Sequence, residues 1–198
     1  MSGPCAKVSE VRNRYAIFLC TYLELSCEPW AEAGYTCVLV DPKHPEGVTR
    51  KGNYIYIGAT VNEALKFLGP IIRKGSVAFV AGFPPCTDLA GSGARHWRSK
   101  YAADRYFQAR AAIVLEQCRT IGELSGARWF FENPQGGASS IFGAPLFSFN
   151  PCDYGGYLPE CDKHPLYPEY LPPRDAYPKL TNIWGGNGLV KPPLRPVD

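Results

Sequence analysis

The sequence predicts an α/β protein in which a mostly parallel sheet is covered by helices on both faces. Short apolar runs alternate with helical patterns over the first two thirds of the 198-residue chain. These runs are largely apolar, as expected of strands that are buried on both faces. The last third is different, because twelve of the nineteen prolines fall from Pro134 onward. We therefore expect an irregular Pro/Tyr-rich C-terminal arm to follow the sheet.

Five short apolar runs are the predicted strands. They cover residues 15–20, 36–41, 53–58, 76–83 and 127–134. A short helix is predicted from Pro29 to about Gly34, because proline favours the first turn of a helix and glycine its end.

Two longer helices are predicted between the strands. Residues 61–74 have a helical pattern that we expect to break near Gly69-Pro70. Residues 101–125 have the pattern of one long amphipathic helix. Its predicted apolar stripe consists of Tyr106, Ala109, Ala112, Ile113, Leu115 and Ile121.

The length fits one domain with a substantial core. We assign residues 1–135 to the α/β domain and 136–198 to an arm that packs on it. The arm contains many aromatic side chains, and this amount of apolar surface argues against disorder. A separate recognition domain is not expected.

Composition narrows the class of protein. Hydrophobic residues make up 45% and charged residues 20%, which is ordinary for a globular chain. No apolar run approaches the roughly 20 residues of a membrane span, so no membrane partner is expected. The N-terminal stretch MSGPCAKVSEVRNR lacks the apolar region of a signal peptide, which predicts a cytoplasmic location. Because thiols are kept reduced in the cytoplasm, we expect the eight scattered cysteines to be free thiols.

Two polar motifs follow neighbouring predicted strands. Pro84-Pro85-Cys86 follows the fourth strand, and Glu132-Asn133-Pro134 ends the fifth. The carboxyl ends of parallel strands meet at one edge of a sheet, where ligands bind. The sequence therefore predicts that a thiol and a carboxyl group meet in one crevice.

These paired motifs resemble those of the DNA cytosine C5-methyltransferase family. The longer phrases PPCTDLAGSGARHW and WGGNG are similar to its compact, bacteriophage-encoded branch. The resemblance covers most of the chain. It implies a Rossmann-like fold of the methyltransferase type, DNA containing cytosine as the substrate, and protection of phage DNA from restriction.

The resemblance also implies a division of roles between the motif residues. Cys86 is the expected nucleophile at C6 of cytosine, which activates C5 toward a one-carbon electrophile. Glu132 is expected at N3 and the exocyclic amine, where it offsets developing charge. Asn133 shapes the loop, and Pro85 fixes the backbone beside the thiol. This chain lacks the Gln-x-Arg-x-Arg segment through which the family contacts cytosine. Arg95 is expected to make that contact instead.

A cluster of cations and aromatic groups follows the first motif and predicts a DNA-binding surface. Cationic side chains suit phosphates, and an indole can stack where a base leaves the duplex. Because a large recognition domain is missing, we expect the recognised sequence to be short or lax. The predicted contacts are Arg95, His96, Trp97, Arg98, Lys100 and Arg105.

The cofactor loop departs from the family pattern. The family binds S-adenosylmethionine through a glycine-rich loop after the first strand, but residues 21–28 contain no glycine. Asp41, after the second strand, is still placed to bind a ribose. The candidate cofactor-binding positions are Cys20, Thr21, Tyr22, Leu23, Glu24, Asp41, Pro42, Ala59, Phe83 and Pro84.

This departure favours a one-carbon donor other than S-adenosylmethionine. Methylenetetrahydrofolate or a similar small molecule would give hydroxymethylcytosine after water addition. Three alternatives stay open: an S-adenosylmethionine-dependent methyltransferase, a dCMP hydroxymethylase, and a catalytically inactive DNA-binding homologue. The sequence does not indicate an oligomeric state.

One further constellation lies in the arm. Cys152, Cys161 and His164 are residue types that bind zinc. Their spacing does not match a standard zinc pattern, so a bound zinc ion is not expected.

Overall fold

Eight strands form one mixed sheet in the computed structural model, which describes residues 14–198. In chain order they are β1 (Tyr15–Leu19), β2 (Thr36–Val40), β3 (Gly47–Lys51), β4 (Tyr54–Gly58), β5 (Val77–Gly82), β6 (Arg128–Pro134), β7 (Phe147–Phe149) and β8 (Thr181–Gly186). The order across the sheet is β3-β4-β2-β1-β5-β6-β8-β7. All five predicted strands are confirmed to within about one residue at each end.

Five helices accompany the sheet within the described residues. They are α1 (Glu28–Glu32), α2 (Val61–Arg73), α3 (Trp97–Ala103), α4 (Phe107–Ser125) and α5 (Ala138–Phe142). Helix α1 begins beside Pro29, and the chain turns after it at Gly34 with φ of +85°, as predicted. No helix in this part of the chain is long and apolar enough to cross a membrane.

The centre of the sheet is parallel. Strands β4, β2, β1, β5 and β6 pair in parallel, whereas β3 adds an antiparallel edge and β8 runs antiparallel between β6 and β7. From β1 the chain builds outward through β2 and β4, then returns to place β5 on the other side of β1. This reversal is a topological switch point between the carboxyl ends of β1 and β5, where ligands bind in open α/β sheets.

Helices lie on both faces of the sheet, as predicted. On β1, Ile17 and Leu19 belong to the core cluster that contains residues of α2 and α4. The alternate residues Ala16 and Phe18 belong to the second cluster, which contains Ala31 of α1. Successive strand side chains point to opposite faces, so β1 is buried on both faces of the sheet.

The predicted break in the second helix is wrong. Helix α2 runs through Pro70 without interruption. Its start is held by a capping box between Thr60 and Glu63, and Ala64 and Leu68 are fully buried on the sheet. Pro70 removes one backbone hydrogen-bond donor from the helix. The stabilisation from the capping box and from the buried side chains outweighs the loss of this hydrogen bond.

The predicted helix over 101–125 is two helices. The chain breaks at Asp104, whose carboxylate accepts a hydrogen bond from the backbone N–H of Tyr106 at 2.9 Å. The predicted stripe is correct at Leu115 and Ile121 but wrong at Tyr106 and Ile113, which are 67% and 54% exposed. The break resets the helical phase and turns Phe107 toward the core.

The C-terminal arm is only partly irregular. Residues 150–180 contain short 3-10 turns and loops, but β7 and β8 belong to the main sheet. The phrase WGGNG covers the end of β8 and the turn that follows it. In this turn, Asn187 and Gly188 have positive φ angles. Residues 1–13, including Cys5 and nearly all of the stretch examined for a signal peptide, lie outside the described residues.

Candidate active site

The loop after β5 places Cys86 beside the core. Pro84 is buried, Pro85 is exposed and Cys86 is partly buried. The Cys86 carbonyl accepts hydrogen bonds from the backbone N–H groups of Leu89 at 3.0 Å and Ala90 at 2.8 Å. Leu89 is fully buried. The loop is therefore a tight turn anchored in the core.

This Cys86 loop is hydrogen-bonded to the loop that follows Glu132. The N–H of Gly91 donates to the carbonyl of Gln135 at 2.9 Å, and the N–H of Gly137 donates to the carbonyl of Leu89 at 2.7 Å. The two loops leave neighbouring parallel strands, β5 and β6. The structure therefore brings the two sequence motifs together through their backbones.

Gly136 is required for this contact. A Cβ atom at this position would lie 2.1 Å from the carbonyl oxygen of Leu89, which is far inside van der Waals contact. At the next glycine, Gly137, the nearest atom would lie 3.6 Å away. The two loops approach so closely that only a residue without a side chain fits at position 136.

Glu132 points into a large apolar cavity on the open face of the sheet. Along β6, Phe130 and Glu132 share one face of the strand, and Phe131 and Asn133 share the other. The cavity is about 590 Å³ and is lined by Glu132 together with aromatic residues, among them Phe83. Burial raises the pKa of the Glu132 carboxyl, and the Lys179 ammonium opposes this rise. Burial thus shifts the carboxyl group toward its protonated form.

The prediction that the thiol and the carboxyl group meet in one crevice is not met, because Cys86 does not line the cavity that Glu132 faces. Phe83, three positions before Cys86, does line the cavity. Its ring meets the Phe130 ring edge-on, with centroids 5.8 Å apart. Cys86 therefore lies in the loop after β5 and Glu132 lies on β6, with Phe83 between the Cys86 loop and the cavity.

Asn133 lies on the opposite face of β6 from Glu132. It is fully buried, and neither its amide oxygen nor its amide nitrogen has a hydrogen-bond partner within the described residues. The predicted role in shaping the loop is compatible with this position. To contact a ligand held by Glu132 directly, the Asn133 side chain would have to lie on the other face of β6.

The predicted DNA-binding residues begin where the Cys86 loop ends. A 3-10 turn, Gly91–His96, leads directly into α3. Arg95, Arg98 and Arg105 are exposed. The Arg95 guanidinium donates a hydrogen bond to the ring of His96 at 3.0 Å. Three guanidinium groups are thus available at the surface beside the thiol loop.

Lys100 and Trp97, which were also predicted to contact DNA, are less exposed than these arginines. Lys100 forms an ion pair with Asp88 of the Cys86 loop, with Nζ and Oδ1 2.5 Å apart. Trp97 is partly buried, and its indole N–H is enclosed with no acceptor among the described residues. In this structure Lys100 therefore holds the Cys86 loop, and the Trp97 ring packs toward the second loop near Gly137.

A crevice at the switch point gathers most of the predicted cofactor positions. Its volume is about 650 Å³. Cys20 has φ of +57°, the left-handed conformation that glycine adopts most readily. The backbone after β1 thus makes the turn expected of a glycine loop, with a cysteine in its place. Lining residues are Cys20, Thr21, Tyr22, Leu23, Leu25, Ser26, Asp41, Lys43, Phe83 and Leu166.

The remaining predicted cofactor positions lie elsewhere. The Glu24 carboxylate accepts a hydrogen bond from the Tyr56 hydroxyl. Pro42 and Ala59 line a separate crevice of about 360 Å³, and Pro84 is buried in the loop. The structure therefore divides the ten predicted positions between different surfaces.

The candidate metal ligands of the arm are not brought together. Residues 14–198 contain no group of three or more His, Cys, Asp or Glu side chains that could hold a metal ion. The His164 Nδ1 atom accepts a hydrogen bond from the backbone N–H of Tyr167 at 3.0 Å. Cys152 and Cys161 are free thiols.

Several residues of the site were not predicted. Leu166 reaches the switch-point crevice from the arm, and Arg14 and Arg128 line the far end of the Glu132 cavity. The period-two pattern Arg128-x-Phe130-x-Glu132 is the signal that could have placed Arg128 beside Glu132. No local signal places Leu166 or Arg14, because their neighbours are distant in sequence.

The chain was compared with known protein families and with curated proteins. No family model matches it, and no curated protein matches it.

Proposed function

We propose that this protein modifies cytosine at C5 in DNA by transferring a one-carbon group through a covalent adduct between Cys86 and C6. The donor is a small molecule of the folate type, and the product is hydroxymethylcytosine. The fold in this proposal is the methyltransferase type of Rossmann-like sheet. The antiparallel strand β8, inserted beside the parallel strands, supports that assignment.

One observation carries the proposal. The loops of the Pro-Cys and Glu-Asn motifs leave adjacent parallel strands and are hydrogen-bonded to each other. A nucleophile and a carboxyl group that act on one pyrimidine ring must be held in a fixed relation, and this backbone contact supplies it. The exposed arginines beside the thiol loop suit a phosphate backbone.

The roles of the two residues follow from their chemistry. The Cys86 thiolate adds to C6, and the electron pair of the C5–C6 double bond moves toward C5. Glu132 holds a proton at N3, which offsets the charge in the ring, and its raised pKa favours that protonated form. A bound donor supplies the electrophilic carbon. After C5 has bonded to that carbon and lost its proton, the bond from the carbon to the donor nitrogen breaks, the donor leaves as the free amine, and an exocyclic methylene remains at C5. Water then adds to this methylene and loses a proton, while the thiolate leaves C6 and the C5–C6 double bond re-forms.

The test is nucleoside mass spectrometry of DNA from cells that express the protein. We expect a hydroxymethyl gain on cytosine that disappears in Cys86→Ser. Cys161→Ser, which changes an exposed thiol of the arm, is the matched control and should retain the modification. An unchanged level of modification in Cys86→Ser would contradict the mechanism. Hydroxymethylated dCMP in the nucleotide pool, together with unmodified DNA, would show that the substrate is the free nucleotide and not DNA.

The second candidate is S-adenosylmethionine-dependent C5 methylation. The switch-point crevice and the left-handed turn at Cys20 favour it, because this is where such sheets bind nucleotide cofactors. A methyl gain on cytosine in the same experiment would support this candidate over the folate-type donor.

A further inference from the structure

The face of the sheet that carries Glu132 is open over β5, β6 and β8. Helix α1 contacts β2 on this side, and the second core cluster places Cys27 and Ala31 against the β1–β2 half of the sheet. Over the other half lies the cavity of about 590 Å³, within the range of small-molecule sites. This is more space than a single pyrimidine base fills.

A continuous row of aromatic rings forms the floor of this cavity. Trp30 stacks on Phe79 with centroids 4.6 Å apart and an interplanar angle of 13°. Phe79 then meets Phe130, and Phe130 meets Phe83, each at 5.8 Å. Tyr35 extends the row at the Trp30 end, with centroids 5.0 Å apart. The row suits a flat ligand, because aromatic faces stack well on one another.

Arginines lie at one end of the cavity and the Glu132 carboxyl group lies at the other. Arg128, Phe130 and Glu132 lie on one face of β6. At about 3.3 Å per residue, the Cα atoms of Arg128 and Glu132 are roughly 13 Å apart along the strand. Arg14 lines the cavity at the same end of the sheet as Arg128. No carboxylate among residues 14–198 lies within 4.0 Å of either guanidinium.

We propose that this sheet-face cavity, rather than the switch-point crevice, binds the one-carbon donor, and that the donor is a reduced folate. The inference rests on the proposed function and adds the site and the orientation. The pterin end lies toward Phe83 and Glu132, beside the thiol loop. The middle ring stacks on the aromatic row, and the carboxylate tail reaches Arg14 and Arg128.

The charge pattern distinguishes this ligand from a sulfonium nucleoside. Two arginines favour a tail that carries carboxylates alone, since guanidinium groups bind carboxylates strongly. The amino-acid tail of S-adenosylmethionine places an ammonium beside its carboxylate, which weakens that attraction.

The experiment is isothermal titration calorimetry of the full chain without DNA, with 5-formyltetrahydrofolate and S-adenosylmethionine as the two probes. We expect saturable binding of the folate. Arg14→Ala and Arg128→Ala should each weaken it about tenfold, as for one charge-assisted contact. Arg50→Ala, an exposed change on the far edge strand β3, is the matched control and should leave binding unchanged.

A second variant tests the cavity without changing charge. Ala78 lines the cavity and is partly exposed, so Ala78→Phe should fill part of the space and weaken folate binding. Thermal unfolding of each variant separates this effect from misfolding. Folate binding that is unaffected by Arg14→Ala, Arg128→Ala and Ala78→Phe would overturn the site, as would binding of S-adenosylmethionine alone.

The outcome is distinguishable from that of the proposed function. Methylated cytosine in cells, together with no folate binding, would overturn this inference and keep C5 modification. Folate binding at the cavity, without any change in cytosine, would support the donor site and overturn the proposed DNA modification.

Discussion

At the scale of single residues, the carboxyl group of Glu132 is the most unusual feature. It is held in an apolar cavity, and burial raises its pKa. A free glutamate has a pKa of about 4.3. Between that value and the raised folded value, the folded chain binds more protons than the unfolded chain. Stability contributed by this group therefore falls as pH rises through this window.

Glu132→Gln should remove this penalty. We expect the variant to unfold at a higher temperature than the wild type at pH 8, and the difference should shrink toward pH 4. Thermal unfolding across this range measures it. The same variant should lose cytosine modification by roughly a hundredfold or more, because the amide cannot deliver a proton to N3.

The control for that prediction is Glu160→Gln, which changes an exposed carboxyl group of the arm. It should shift neither the unfolding temperature nor the modification. An equal gain in stability for Glu132→Gln at pH 4 and pH 8 would show that desolvation of the carboxylate is not the cause.

At the scale of elements, the contact between the Cys86 loop and the loop after β6 sets the site. Two backbone hydrogen bonds join the loops, and the ion pair between Lys100 and Asp88 ties α3 to the first of them. The thiol, the carboxyl group and the basic helix are therefore parts of one connected unit.

Gly136→Ala should disturb this unit, because its Cβ would collide with the carbonyl of Leu89. We expect a loss of about 1–3 kcal/mol in the free energy of unfolding, as for other overpacked sites. Cytosine modification should fall by more than the loss of folded protein accounts for, because the two loops no longer hold the thiol and the carboxyl group in place. Chemical denaturation and nucleoside analysis measure the two effects.

Gly137→Ala is the matched control for Gly136→Ala. Its φ of −64° suits any residue, and an added Cβ would make only ordinary contact at 3.6 Å. If both alanine variants behave alike, the close approach of the loops is not what positions the site.

The surface of α3 gives a separate prediction about DNA. Arg98→Ala should weaken binding to all sequences alike and lower the slope of log K against log salt concentration by about 1, because one phosphate contact is lost. Lys51→Ala, an exposed change on β3, should leave the slope unchanged. Gel shifts at several salt concentrations decide this. A loss confined to one DNA sequence would instead indicate that Arg98 reads a base.

At the scale of the whole molecule, the arm completes the sheet. Strand β8 pairs with β6 over six residues, and Trp184 stacks on Phe131 with centroids 5.3 Å apart. The strand that carries Glu132 is thus held between β5 and β8. The division into a domain of residues 1–135 and an arm therefore separates strands of one sheet.

A fragment of residues 1–135 should not fold by itself, since it leaves β6 as an open edge and removes its aromatic cover. We expect no cooperative unfolding transition by circular dichroism. In the full chain, Trp184→Ala should cost about 3–5 kcal/mol, as for large buried aromatic residues. A fragment that melts cooperatively near the temperature of the full chain would contradict this view of the arm.

The central strands were predictable from sequence because their apolar runs are local, and β1 and β2 are buried on both faces. The edge and C-terminal strands were not. Strand β3 is largely exposed, and β8 has the residues Trp184-Gly185-Gly186 in place of a long apolar run. Their pairing is decided by partners on β4 and β6.

By itself the sequence determined the parallel core and the two motifs at its carboxyl edge, because strand patterns and strand ends are local properties. It also indicated that the loop after β1 lacks glycine. Only the tertiary structure decided that Cys20 still makes the left-handed turn and that Glu132 faces an aromatic cavity rather than the thiol loop. These features depend on which face of β6 each side chain occupies and on residues distant in sequence, such as Arg14 and Leu166, and a local pattern carries neither.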